Sequence, residues 1–237
     1  MPMPNQGKPK PKAELNLKTR VSKIVKLLEE THPDAKIALD FSNPLELLIA
    51  TMLSAQCTDE RVNVVTKVLF RKYQTPKDYA KADLKELENN IRSTGFYRNK
   101  SKNIKKAAQM LVEKFNSKVP STMAELLELP GVARKTANIV LFNAFGKIEG
   151  IAVDTHVRRL AKRLGLTEND DPEKIEADLM KIIPKKDWMR ITDFLIFHGR
   201  RVCEAKKPKC EICVLDKICP SAFSFQQKAK PKKRKAA

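Results

Sequence analysis

Residues 126–141 read LLELPGVARKTANIVL, and this stretch decides the fold. Apolar Leu126, Leu127 and Leu129 lead into Pro130-Gly131-Val132, a basic pair (Arg134, Lys135) follows, and Thr136-Ala137-Asn138 opens an apolar run. The pattern predicts a short helix, a tight turn built on a glycine, and a second helix of about a dozen residues. Such a turn leaves backbone N–H groups at a helix N-terminus, where an anion binds readily. Lys135 then lies in the first turn of that helix, beside whatever anion is held.

The rest of the chain reads as helices too. Residues 17–30 place apolar side chains at 21, 24, 25 and 28, one face of a helix. Asn43-Pro44-Leu45-Glu46 combines a capping Asn, a Pro in the first turn and an acidic third residue, a strong helix start. The segment LELLIATMLSAQ (45–56) is apolar nearly all round, as a buried central helix should be. Further helices are expected from Thr58 or Asp59 to 73, over 83–93 with Gly95 closing, over 99–115, over 154–164 with Gly165 closing, over 172–183 and over 187–198. On the helix at 99–115, Lys102, Lys105 and Lys106 lie opposite the apolar face. No alternating strand pattern interrupts them, so the fold class is all-α.

The formal net charge of +19 across 237 residues points to a polyanion, nucleic acid above all. Nine of the basic residues sit in terminal tails: Lys8, Lys10, Lys12, Lys228, Lys230, Lys232, Lys233, Arg234 and Lys235. The body keeps about +10 without them. No run of about 18 apolar residues suggests a membrane span, and the N-terminus has no apolar core of a secretory signal. Five cysteines, an odd number, do not make a disulfide framework.

Four of those cysteines, Cys203, Cys210, Cys213 and Cys219, form a C-x6-C-x2-C-x5-C pattern. Four thiolates in one loop can surround a structural zinc or a cubane iron–sulfur cluster. Lys206, Lys207 and Lys209 lie in the first gap, where a loop tied at both ends can follow a phosphate backbone. Lys135 reads either as a phosphate contact or as an amine nucleophile. The second role requires desolvation, nearby positive charge or a proton acceptor, because an ordinary lysine is neutral in only about one molecule in a few thousand at neutral pH. Asp154, in VDTHVRRL, caps the helix that follows and is held rigidly enough to face a developing cation. Gln56 is either a surface residue or a side chain inserted into DNA; Phe96, beside Gly95, is either core or an exposed wedge. Cys57 reads as packing, and His156 and His198 as hydrogen-bonding helix residues.

Taken together, LLIATMLSAQCTD (47–59), TGFYRNK (94–100), LPGVARKTAN (129–138), VDTHVRRL (153–160), FLIFHGRRVC (194–203) and the four-cysteine loop resemble the endonuclease III family of helix-hairpin-helix DNA glycosylases. The pieces occur in order over about residues 20–220. The resemblance implies two helical domains with a DNA-binding cleft between them. One would be residues 38–147, ending in the hairpin; the other would join 14–37 to 148–225, with basic tails at 1–13 and 226–237. It implies a monomer that removes oxidised pyrimidines from duplex DNA and cleaves abasic sites by β-elimination through a lysine Schiff base. Lys135 falls on the family's nucleophile and Asp154 on its catalytic carboxylate. The four cysteines fall on the ligands of one [4Fe-4S] cluster. Gln56 and Phe96 fall on the positions that fill the gap left by the extruded nucleotide, and Leu129, Gly131, Ala133 and Arg134 on the DNA-gripping hairpin.

One departure stands out: the hairpin's usual second glycine is Ala133, for which a negative φ is expected. The alternatives are a monofunctional adenine glycosylase of the same superfamily, which lacks lysine at 135, and a non-catalytic helix-hairpin-helix module with structural zinc. Location in a bacterial or archaeal cytosol, at the nucleoid, is expected; KPKKRK (230–235) would direct a eukaryotic protein to the nucleus.

Overall fold

A computed structural model describes residues 16–225; the basic segments expected at 1–13 and 226–237 lie outside them. Eleven α-helices and no strand occur among the described residues. They are α1 (Leu17–Thr31), α2 (Pro44–Leu53), α3 (Asp59–Lys72), α4 (Pro76–Lys81), α5 (Leu84–Ile91), α6 (Tyr97–Lys114), α7 (Met123–Glu128), α8 (Arg134–Phe145), α9 (Thr155–Arg163), α10 (Pro172–Ile182) and α11 (Trp188–Arg201).

Their side chains build two separate cores. The first gathers α2 to α8 around α2, whose residues from Leu47 to Leu53 are all buried. The second gathers α1 with α9, α10 and α11, and the cysteine loop packs against it through Leu215. The start of α2 follows from its sequence: Asn43 Oδ1 accepts from the N–H of Glu46, and Pro44 occupies the first position.

Local structure departs from the sequence expectation at four points. Helix α2 ends at Leu53, not at Gln56, and residues 54–56 turn away, with Ser54 Oγ donating to the Thr51 carbonyl. The short α4 went unforeseen, although Thr75, Pro76 and Asp78 form a full capping box. Helix α6 begins at Tyr97, two residues early, with Phe96 in the left-handed region at its start. Helix α11 runs past His198 to Arg201. It can do so because Gly199 lets α9 approach: a Cβ there would lie 2.9 Å from both Arg159 Nη2 and His156 Nδ1. The lysine face of α6 is also less uniform than expected, since Lys105 Nζ donates to the Ala82 carbonyl at 2.7 Å.

The two cores are tied by one buried carboxylate. Glu176, on α10, is 4% exposed. Its Oε2 accepts from Arg134 Nε at 2.6 Å, and its Oε1 accepts from Asn138 Nδ2 at 2.9 Å and the Ile151 N–H at 3.2 Å. Arg134 and Asn138 belong to α8, whereas Ile151 leads into α9. Replacing Glu176 by Gln keeps the shape but loses the charge and turns an amide NH2 towards one of these donors. Urea unfolding of Glu176→Gln is expected to show a loss of about 1.5–3 kcal/mol, the usual worth of hydrogen bonds to a charged group. A loss below about 0.5 kcal/mol would mean that the tie carries little load. In the first core, the Tyr79 hydroxyl is buried with no hydrogen-bond partner. Tyr79→Phe is therefore expected to stabilise by about 1 kcal/mol in the same assay, and a clear destabilisation would expose a bonded hydroxyl.

Candidate active site and nucleic-acid interface

The turn between α7 and α8 is built from its glycine. Gly131 has φ +82°, and Asn103 packs against it so closely that a Cβ would sit 2.8 Å from the Asn103 Cβ. The Val132 N–H closes the turn onto the Leu129 carbonyl at 3.0 Å. Leu129 itself is buried in the first core, and its carbonyl closes the turn. Ala133 follows at φ −99°, ψ 169°, extended backbone that an alanine adopts without penalty.

Ala133 is the N-cap of α8 and supplies no capping side chain. Most of the other helices are capped by an Asn, Thr or Asp, as at Asn43, Thr58, Thr75, Asp83, Thr122 and Asp171. The first-turn N–H groups of α8 thus lack the side-chain acceptor found elsewhere, which suits an external anion. Arg134 is expected at that anion, and the structure pairs its Nε with Glu176 instead. Its side chain stays 34% exposed, so the guanidinium edge is only partly committed.

Lys135, half-buried in the first turn of α8, lines a cleft that Asp154 also lines. Asp154 is the N-cap of α9, and its Oδ1 accepts from the N–H groups of His156 at 2.8 Å and Val157 at 2.7 Å. Both capping bonds go to Oδ1 and neither to Oδ2. The carboxylate is therefore fixed in place with one oxygen spared. Asp59 and Arg200 lie in the same cleft and bond at 2.7 Å, joining the start of α3 to the end of α11.

Asp193 also lines the cleft, and sequence reading missed it. Burial pushes its carboxyl up to about 6. The signal was present: a lone acid stands within the apolar run of α11, ITDFLIF (191–197).

Gln56 and Phe96 line a neighbouring opening together with Gly131 and Asn103. Both are exposed, Phe96 at 65%, and both have left-handed backbone, φ 52° and φ 47°. Neither is a core residue. In the cysteine loop, Lys206 and Lys207 are exposed, whereas Lys209 bonds Glu204 at 2.8 Å and the Arg201 carbonyl at 3.1 Å. Lys209, itself exposed, thus braces the loop, whereas no bond holds Lys206 or Lys207 among the described residues.

The four loop cysteines line one pocket, and none of them is in a disulfide. Among the described residues no three Cys, His, Asp or Glu groups converge closely enough to hold a single metal ion. N–H groups surround the loop sulfurs: Arg163 Nη1 donates to Cys203 Sγ at 3.2 Å, the Phe223 N–H to Cys210 Sγ at 3.5 Å, and His198 Nε2 lies 3.3 Å from Cys213 Sγ. Burial pushes the Cys213 thiol up to about 11 and raises that of Cys219. His198, buried beside His32 at 3.1 Å, is here a partner of a cysteine as well as a helix residue. Cys57 packs at the edge of the first core, as expected.

Comparison with known proteins agrees with this geometry. The profile of HhH-GPD superfamily base excision DNA repair proteins matches residues 49–185. An endonuclease III of Synechocystis sp. is 54% identical over 205 residues, which cover 86% of this chain and 94% of that protein. The structure of a non-covalent endonuclease III–DNA complex superposes with a TM-score of 0.86 at 48% identity, covering 91% of this chain and 100% of that one. A trapped endonuclease III–DNA covalent intermediate superposes equally, with a TM-score of 0.86 at 47% identity over 90% of this chain and 100% of that one. With the hairpin, the shared cleft and the cysteine loop in their places, this chain belongs to the endonuclease III family of the HhH-GPD superfamily.

Proposed function

We propose that Lys135 is the amine nucleophile and Asp154 the fixed carboxylate with which this chain excises oxidised pyrimidines from duplex DNA. As a family member the chain is a base-excision-repair glycosylase with abasic-site lyase activity. The observation that carries the residue assignment is the cleft: Lys135 from one core and Asp154 from the other line it together, beside an uncapped helix N-terminus. The two cores suggest the division into domains at 38–147 and 14–37 plus 148–225. An adenine glycosylase lacking lysine at 135, or a non-catalytic module, would leave this pairing without a purpose.

The chemistry follows from the atoms. A base stacked in a duplex hides its glycosidic bond, so the nucleotide is extruded first, at a cost of roughly a few kcal/mol. The neutral Lys135 amine attacks C1′ as the C1′–N bond breaks, and the departing base takes a proton. The Asp154 carboxylate faces the positive charge that develops on the sugar. Ring opening at O4′ leaves a C1′ iminium on Lys135, which acidifies the C2′ proton. Loss of that proton expels the 3′ phosphate and cuts the strand, and water then hydrolyses the Schiff base to free the amine. The backbone N–H groups of the hairpin and the exposed Lys206 and Lys207 are assigned to the phosphates.

Cys203, Cys210, Cys213 and Cys219 would hold one [4Fe-4S] cluster, which when bound folds the lysine loop into a fixed shape. No helix among the described residues is long and apolar enough to cross a membrane. A DNA substrate puts the protein at DNA, in a bacterial or archaeal cell at the nucleoid.

Borohydride reduces an iminium to a stable amine, so it traps the proposed intermediate. Native protein is expected to form a covalent adduct with duplex DNA carrying an oxidised pyrimidine, and Lys135→Ala none. Undiminished trapping in Lys135→Ala would move the nucleophile elsewhere. Asp154→Asn keeps a good helix cap and should leave the melting temperature nearly unchanged while slowing excision by about 10²–10³-fold. The cluster has its own test. Purified protein should be coloured by iron–sulfide charge transfer, with iron and sulfide present and zinc absent; a colourless protein with stoichiometric zinc would overturn that part.

A further inference from the structure

Lys100 breaks a local rule. It sits in the first turn of α6, where the helix dipole disfavours a cation, and its side chain is buried. Its ammonium makes two hydrogen bonds, both to main-chain carbonyls: Leu53 O at 2.8 Å and Thr94 O at 2.8 Å. Leu53 is the last residue of α2, so its carbonyl is one of those a helix end leaves unpaired. Thr94 ends the short 3-10 turn formed by Arg92–Thr94. Burial lowers the Lys100 pKa, a cost the two carbonyls offset by accepting from it.

What lies just beyond those two carbonyls gives the contact its meaning. Three residues past Leu53 is Gln56, and two past Thr94 is Phe96. Both have left-handed backbone, which a glutamine and above all a phenylalanine adopt only where their surroundings hold them. Lys100 lines the opening that they share. Among the described residues the Gln56 side chain makes no hydrogen bond, and α6 has no side-chain cap.

We infer that Lys100 is a positioning residue, a strut whose ammonium fixes the end of α2 against the end of the Arg92–Thr94 turn and so sets the separation of Gln56 and Phe96 across the opening. Its effect falls on extrusion of the nucleotide and not on the chemistry at C1′, because it touches neither Lys135 nor Asp154. The inference rests on reading Gln56 and Phe96 as the pair that fills the vacated stack. Loss of the two bonds lets the turns drift apart, and the wedge then enters the duplex at lower occupancy.

The test compares two substrates of the full-length protein: a duplex with an oxidised pyrimidine, and the same duplex with a preformed abasic site, which has no base to unstack. A 2-aminopurine opposite the lesion reports estrangement by its fluorescence. Lys100→Met, which keeps the stem and loses the donors, is expected to lower single-turnover excision by about 10-fold or more and abolish the fluorescence rise, with borohydride trapping at the abasic site within about 3-fold of native. Lys100→Gln, able to cap one carbonyl but not both, should show the same split at smaller amplitude; it carries the test if the methionine variant does not fold. Equal loss on both substrates, in step with a loss of folded protein, would make Lys100 merely structural and overturn the inference. Gln56→Ala and Phe96→Ala separate the two layers. If they leave excision unchanged, the wedge reading fails; if they lower it and Lys100→Met does not, the strut alone fails.

Discussion

A carboxylate buried between two cores must find partners, since several kcal/mol are at stake when a charge is left unpaired inside a protein. Glu176 finds three, and each leads to the cleft. Arg134 is the neighbour of Lys135, Asn138 lies one turn further along α8, and Ile151 stands three residues before Asp154. One acceptor thus ties the helix that carries Lys135 to the segment that leads to Asp154. The close fit leaves no room for a side chain on Gly150, whose Cβ would fall 1.9 Å from Glu176 Oε1. A second bond, from Arg200 to Asp59, clasps the two cores on the other side of the same cleft.

The parts of this arrangement that depend on neighbours in sequence were legible before any coordinates. Asn43, Pro44 and Glu46 announced α2, Gly131 announced the turn, and Asp154 announced the start of α9, because caps and turns are contracts between residues two to four apart. The apolar positions of α1 told which face would be buried. The tie at Glu176 was not legible, since Arg134 and Glu176 are 42 residues apart and nothing in PEKIEADLM marks the second of its two glutamates as the buried one. Lys105 reads as a solvent cation from its helical position, yet it reaches a carbonyl on another element. Helix α4 was missed for a different reason: at six residues it is too short for periodicity to register, and only its capping box could have given it away. The family resemblance named candidates where local reasoning left alternatives open, because a motif keeps a record of tertiary meetings that spacing cannot express.

The cleft holds two carboxylates besides the one bonded to Arg200, and their surroundings fit them for different work. Asp154 has two backbone N–H donors on Oδ1, which hold its orientation through the reaction and need no rearrangement as the sugar gains charge. Asp193 has no such donors. Burial alone raises its carboxyl to about 6. A cation that develops and disappears within one step is better met by a charge already in place and already oriented. That favours Asp154 for the proposed role on grounds independent of any motif. On the proposed assignment the side chain that caps α9 is also the one that faces the sugar, so the two bonds that start the helix also aim the carboxylate.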